Sequence, residues 1–241
     1  MPSVDRRWIP LVLIGLAAVA SLLAYGSLPP TVELRLDALL PFDTSEADLV
    51  PRWLALSLIP TLALVVWAGF RAAPTATGQR LGRLLLRRAP DAVTSPDQFA
   101  RFAKTYDAIV LAVVVLLLGV HAAIIAGALG YTDLAVRLIP GVMGASLILM
   151  GNVMPRLRPN WVAGVRTRRT LEDPRLWRTT HRAFGTAFVI SGVLTIIVAL
   201  AAPRYGLVTG LASLVLSCVV GLIASTKAPP TTPNTRDASA R

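Results

Sequence analysis

The chain has 241 residues, 54% of them hydrophobic and only 15% charged, with mean hydropathy +0.63 and a formal charge of +11. Soluble domains carry about 25% charged residues, so this composition cannot furnish an ordinary hydrated surface, and it is far too apolar for a disordered chain. The single cysteine, Cys218, rules out an internal disulfide and a cysteine-based zinc site.

Crossing a hydrocarbon core takes roughly 20 apolar residues, and six stretches approach that length. They run from Trp8 to Tyr25, Trp53 to Phe70, Ala108 to Leu129, Leu134 to Met150, Ala183 to Ala201 and Leu207 to Thr226. None has an Asp or Glu in its middle, and the third and sixth are apolar all round, whereas a soluble helix would show a polar face. The fold class expected is therefore all-α: a polytopic membrane protein with six transmembrane helices. The first stretch follows Arg6 and Arg7, but its apolar run exceeds a signal-peptide core and no small-x-small cleavage site follows, so an uncleaved anchor is expected.

Basic residues divide unevenly between alternate loops. Segments 1–7, 71–107, 151–182 and 227–241 hold 20 of the 24 Lys and Arg and 7 acids. The opposite side holds Arg35, Arg52, Arg137 and Arg204 against six acids. The positive-inside bias then puts both termini in the cytoplasm of a cell-membrane protein. On this reading the net charge of +11 reports orientation in a bilayer, with no direct nucleic-acid binding.

Taken in order, residues 1–70 form a two-span hairpin with an outer loop over 26–52. In that loop Val32, Leu34 and Leu36 alternate with Glu33, Arg35 and Asp37, as a short half-buried strand would. Residues 71–106 form a basic amphipathic cytoplasmic loop. Arg80, Arg83 and Arg87 share one helical face and Leu81, Leu84 and Leu85 another, which suits an interfacial helix against anionic headgroups. Ser95-Pro96-Asp97-Gln98 reads as a helix start, and Phe99, Phe102, Ala103 and Tyr106 recur at helical spacing as interface anchors leading into the third span. Residues 107–226 make a four-span unit, and the Pro/Thr/Ser-rich tail 227–241 is expected to be disordered.

Within that unit two places hold polar chemistry. His121 is the only ionisable residue deep in a span, which marks it as an intramembrane candidate; the alternative is a neutral imidazole bonded to a neighbouring helix. The loop 151–182 is richer. Pro155 ends the fourth span, Asn160 and Gly164 suit tight backbone positions, and Asp173-Pro174 is a helix-start pair. Trp177 and His181, four apart, share a face of the helix that follows. By depth, His121 and Asn152 lie in different layers, while Asn152, Arg156, Arg166, Thr180 and His181 converge where spans four and five meet. One His and one Cys leave any metal underligated, and no paired carboxylates or activated nucleophile appear, so neither metal, cofactor nor enzymatic chemistry is expected.

The segment that contains these residues closely resembles the SdpI family of bacterial membrane immunity proteins. The matching positions are Gly151, Asn152, Pro155, Asn160, Trp161, Gly164, Arg166, Thr167, Thr170, Leu171, Trp177, Thr180 and His181. His121 and the Gly130-Tyr131 turn also look like the family's preceding span, so the resemblance extends over about 107–226. Upstream, Tyr25, Leu28, Pro29 and Pro60 are similar to an amino-terminal domain often joined to it, although the His and Gly usual in its outer loop are absent. Arg168-Arg169 stands where a Pro-Trp pair is common. The resemblance implies protection against a secreted antimicrobial peptide and, in signalling members, membrane capture of a cytoplasmic transcriptional repressor. It implies a ligand or regulator site drawn from Asn152, Pro155, Asn160, Gly164, Arg166, Thr167, Thr170, Trp177, Thr180 and His181. The other reading is a small transporter or lipid-handling protein without covalent catalysis. It is motivated by spans three–four and five–six, two hairpins that enter the membrane in the same direction. A scaffold acting through loop 78–106 is a third.

Overall fold

The computed structural model describes residues 8–34, 48–72, 75, 96–158 and 164–227. In chain order these form α1 (Ile9–Tyr25), β1 (Thr31–Leu34), β2 (Asp48–Pro51), α2 (Arg52–Ala72), α3 (Pro96–Ala128), α4 (Thr132–Val153), a 3-10 turn (Met154–Arg156), α5 (Arg168–Glu172), α6 (Pro174–Ala201) and α7 (Pro203–Thr226). Five helices, α2, α3, α4, α6 and α7, are long and apolar enough to cross a membrane. The first expected span is the shorter helix α1, of 17 residues. The expected amphipathic stretch around Arg80, Arg83 and Arg87, the cap Ser95, Asn160, Trp161 and the tail beyond Lys227 lie outside the described residues.

The architecture departs from all-α at one place. β1 and β2 pair antiparallel with Thr31 opposite Pro51 and Leu34 opposite Asp48. Val32 turns inward to a small cluster with Ala24, Leu28, Ala55 and Leu56, so the alternation read in the sequence does produce a strand over its first half. The rest of that alternation, Arg35 to Asp37, lies outside the described residues.

Helix ends follow local chemistry. Asp173 caps α6, its carboxylate accepting the Arg175 amide at 2.7 Å, with Pro174 in the first turn. At the other end of α3, Gly130 adopts φ +91° and Tyr131 N–H reaches back to the Ala126 carbonyl at 2.8 Å, the paired-bond closure that a left-handed glycine permits. Two arginines of the sparsely basic side are also helix caps. Arg52 donates to the Leu28 carbonyl at 2.9 Å and the Tyr25 carbonyl at 3.3 Å while lying over the Tyr25 ring. Arg137 donates to the Leu200 carbonyl at 2.6 Å, at the C-terminus of α6. A cation there satisfies free carbonyls and opposes the negative end of the helix dipole.

The bundle is ordered α1/α2, α3, α4, α6, α7, with α7 also touching α4. Close approach replaces bulky packing in its second half. A Cβ on Gly144 would sit 2.7 Å from the Gly192 carbonyl oxygen, and one on Gly151 would sit 2.6 Å from that of Gly185. Glycines seven apart on both antiparallel helices thus let the α4 and α6 backbones touch twice. On α7 every buried residue is small: Gly206, Gly210, Ser213, Ser217, Gly221 and Ser225. The large side chains point outward instead, as they do along α1, where Leu22 and Leu23 are 76% and 77% exposed. Small residues inside and leucines outside is the packing of helices in lipid, where tails solvate the leucines and only close backbone contact favours association. This is a multi-pass membrane architecture.

Tyr106 differs from its expected place. It turns into the bundle, packs on Phe70 with ring centroids 5.3 Å apart and donates its hydroxyl to the Phe70 carbonyl at 3.0 Å. It therefore joins α2 to α3, beside an Arg71–Asp107 contact of 3.6 Å, and does not anchor a surface.

Candidate functional site

The loop between α4 and α6 is held to the start of α6 by side chains that bond to backbone. Trp177 is fully buried, and its indole N–H donates to the Leu157 carbonyl at 2.7 Å, fixing the chain just after the 3-10 turn. His181, one turn on, is also fully buried and stacks on the Trp177 ring with centroids 4.0 Å apart. Its Nδ1 lies 2.8 Å from the Trp177 carbonyl, which can only accept, so Nδ1 carries the proton. Nε2 is then a lone pair, and it accepts the Val165 amide at 3.1 Å. The imidazole is neutral in this arrangement, because an imidazolium would aim a second N–H at the Val165 N–H.

Gly164 is required here twice over. Its φ is +105°, a region that L side chains avoid, and a Cβ on it would overlap His181 Nε2. Val165 also has its carbonyl occupied, by Thr170 Oγ1 donating at 2.8 Å. Thr170 and Thr167 cap α5 reciprocally: Thr167 Oγ1 accepts the Thr170 amide at 3.2 Å, and Thr170 Oγ1 accepts the Thr167 amide at 3.0 Å. Both polar groups of one loop residue are thus bonded to side chains, as a buried backbone at the edge of a bilayer requires. The Val165 side chain continues the link, because a Cβ on Gly221 of α7 would meet it at 3.1 Å.

Gly164, Thr167, Thr170, Trp177 and His181 are therefore brought together; of the set expected to converge, Asn152, Arg156, Arg166, Thr180 and His181, only His181 belongs to it. The remaining candidates are not part of this knot. Asn152 and Pro155 are exposed on the α4 side, and Arg166 is exposed on the loop and engaged by a further contact. Thr180 is fully buried, but its Oγ1 finds no hydrogen-bond partner among the described residues, and it does not join the His181 cluster. The reason is helical geometry: a residue adjacent to His181 points about 100° away around α6. Asn160 lies outside the described residues.

His121 belongs to a second, separate polar joint. Its Nε2 lies 2.8 Å from Ser21 Oγ, and that hydroxyl is 3.0 Å from the Leu56 carbonyl. Pro60, four residues after Leu56, has no N–H to give it, so α2 leaves this carbonyl unbonded inside the bundle. Ser21 Oγ lies equally close, 3.0 Å, to the Ala17 carbonyl of its own helix, so its one proton is shared between the two carbonyls. His121 Nε2–H donates to Ser21, and Nδ1 remains an acceptor with no partner among the described residues. The imidazole thus bonds a neighbouring helix, and three helices meet at one hydroxyl. Ser21 was missed in the sequence, although Pro60 inside an apolar span signals that a carbonyl four residues earlier needs a donor. No group of three or more His, Cys, Asp or Glu that could hold a metal occurs among the described residues.

Comparison with known proteins gives one family match. Residues 156–226 match the SdpI/YfhL protein family. The Bacillus subtilis (strain 168) protein described as uncharacterized protein YfhL is 28% identical over 91 residues, covering 36% of this chain and 83% of that protein. No solved structure gives a significant match. The match takes in the pinned loop, α5, α6 and α7, so it is the stretch from Arg156 to Thr226 that is similar to the SdpI/YfhL protein family.

Proposed function

We propose that this chain is a six-span protein of the bacterial inner membrane, with both termini in the cytoplasm, that binds a toxic peptide or related membrane ligand and protects the cell. It acts by binding, without covalent catalysis. The similarity of residues 156–226 to the SdpI/YfhL family carries this reading, since the bonded loop at Gly164, Val165 and His181 lies within that match. At 1.5 Å per residue α1 spans about 25 Å, and a bilayer thins locally to accept such a helix as the first span. The excess of arginine on the loops 71–107 and 151–182 supports the orientation. The loop, tied to both α6 and α7, is the element through which occupancy of the bundle reaches a cytoplasmic transcriptional repressor.

Expression in a peptide-sensitive host tests the proposal. Wild-type protein is expected to raise survival against at least one secreted antimicrobial peptide, and Arg166→Ala to abolish that protection at an equal membrane level. Unchanged killing by every peptide in the panel would refute it. Orientation is read separately: in a Cys218→Ser background, single cysteines at residues 3 and 238 should react with an impermeant maleimide only after the cells are opened.

A further inference from the structure

The start of α6 carries charge that its own fold does not use. Arg175, Arg178 and Arg182 are exposed and, at spacings of three and four, lie on one face of the helix. Arg156 is exposed at the same level, bracketed by Pro155, which a Cβ on Gly185 would meet at 3.0 Å, and by Leu157, whose carbonyl takes the Trp177 indole. Between residues 151 and 182 there are only two acids, and both are engaged elsewhere. Glu172 accepts from Arg168 at 2.8 Å, and the Asp173 carboxylate caps α6. Among the described residues none of the four arginines has an ion pair. Like charges three and four apart on a helix repel, and an anion laid across them would reverse that cost.

The same face identifies the anion. Beyond Arg182 it continues as exposed Ile190, Val193 and Ile197. Half of a hydrocarbon core is about 15 Å, or about ten residues of helix, so a chain descending from Arg182 runs past Ile190 and reaches Val193 at about the midplane. A headgroup phosphate at the arginines with an acyl chain on the isoleucines fits both halves. We propose that the Arg156/Arg175/Arg178/Arg182 face is a binding site for an anionic phospholipid of the leaflet that the α4–α6 loop adjoins. It is independent of whether the protein confers immunity.

The full-length protein in neutral detergent, titrated with phosphatidylglycerol or phosphatidylcholine and read by native mass spectrometry, tests this. Wild-type protein should prefer phosphatidylglycerol. At about fivefold per arginine near a membrane surface, R175Q/R178Q/R182Q should lose about a hundredfold of that affinity. The single change R182Q should lose about fivefold, which preserves the test if the triple variant fails a size-exclusion check. R168Q/R169Q/K227Q removes equal charge away from this face and should stay within twofold. Equal affinity for the two lipids, or an equal loss in the control, would overturn the proposal. Displacement of the lipid by inorganic phosphate at about 10 mM would also overturn it, by showing an anion site with no use for the acyl chain. So would a triple variant that retains phosphatidylglycerol but loses an acidic protein partner.

Discussion

Gly164→Ala and His181→Ala are expected to be strongly non-additive, because the two residues occupy the same space. Alone, Gly164→Ala meets a left-handed backbone cost of about 1–2 kcal/mol. Its methyl also overlaps His181 Nε2, displacing the imidazole and leaving the half-buried Val165 N–H without an acceptor, which adds about 1–3 kcal/mol. His181→Ala loses that same acceptor together with the Trp177 stack, for a total of about 2–4 kcal/mol. Once the imidazole is gone, Gly164→Ala retains only the backbone cost. The double variant should therefore be about 1–3 kcal/mol more stable than the sum of the singles predicts. Equilibrium unfolding of wild type, both singles and the double in mixed micelles by SDS titration, followed by tryptophan emission, gives all four corners of the cycle. Additivity to within about 0.5 kcal/mol would show that the His181–Val165 bond does not hold this loop.

Ser21→Ala should cost about 1–3 kcal/mol by the same titration, since it strips the donor shared by the Leu56 and Ala17 carbonyls and the partner from His121. Adding Pro60→Ala returns an N–H to that carbonyl and should recover part of the loss; no recovery would mean the carbonyl was never the group in need. Gly192→Ala, which would press a methyl against the Gly144 carbonyl and 2.7 Å from Ile148, is expected to cost about 1–3 kcal/mol, whereas Gly15→Ala, with nothing within 4 Å, should be neutral or slightly stabilising. Equal melting temperatures for these two glycine variants would contradict the backbone contact between α4 and α6. Arg137→Gln should destabilise by about 0.5–1 kcal/mol at low salt through loss of its charge at the α6 C-terminus, and hydrogen exchange at Val198–Ala202 should rise first.

The long helices were legible, because each contains an extended apolar run and most are closed by Pro, Gly or Asp-Pro, signals that act within a few residues. The short α5 (Arg168–Glu172) has no such run and did not show. So was the pairing of Trp177 with His181, which α-helical spacing alone demands. Asp173 capped as its identity required. What failed to show was whatever depended on the direction of a side chain around its helix or on a distant partner. Thr180 and His181 are neighbours in sequence, yet only one faces the loop. Asn152 shares the motif with Gly151 but faces outward, while Gly151 lies against Gly185. Ser21 looks like a chance polar residue in α1 until α2, carrying Leu56 and Pro60, is laid against it. The small-residue face of α7 was present as a four- and three-residue rhythm, but its uniformly apolar composition concealed it from any search for a polar side.

The seam between α6 and α7 has a mechanical consequence. On the α7 side its buried residues are only glycine and serine, which meet Ala199, Thr195, Ser191 and Phe184 of α6, and the two helices are joined at one end by a single linking residue, Ala202. Long side chains can rotate to absorb a displacement; the glycines and serines that α7 contributes have no such slack. Ser191, Ser213 and Ser217 are chained at 2.8–3.2 Å, so prising the helices apart at this point leaves the Ser191 hydroxyl without its partners on α7. The two helices should accordingly travel as one stiff lever. A displacement of that pair is carried to Gly221, which lies against Val165 of the loop.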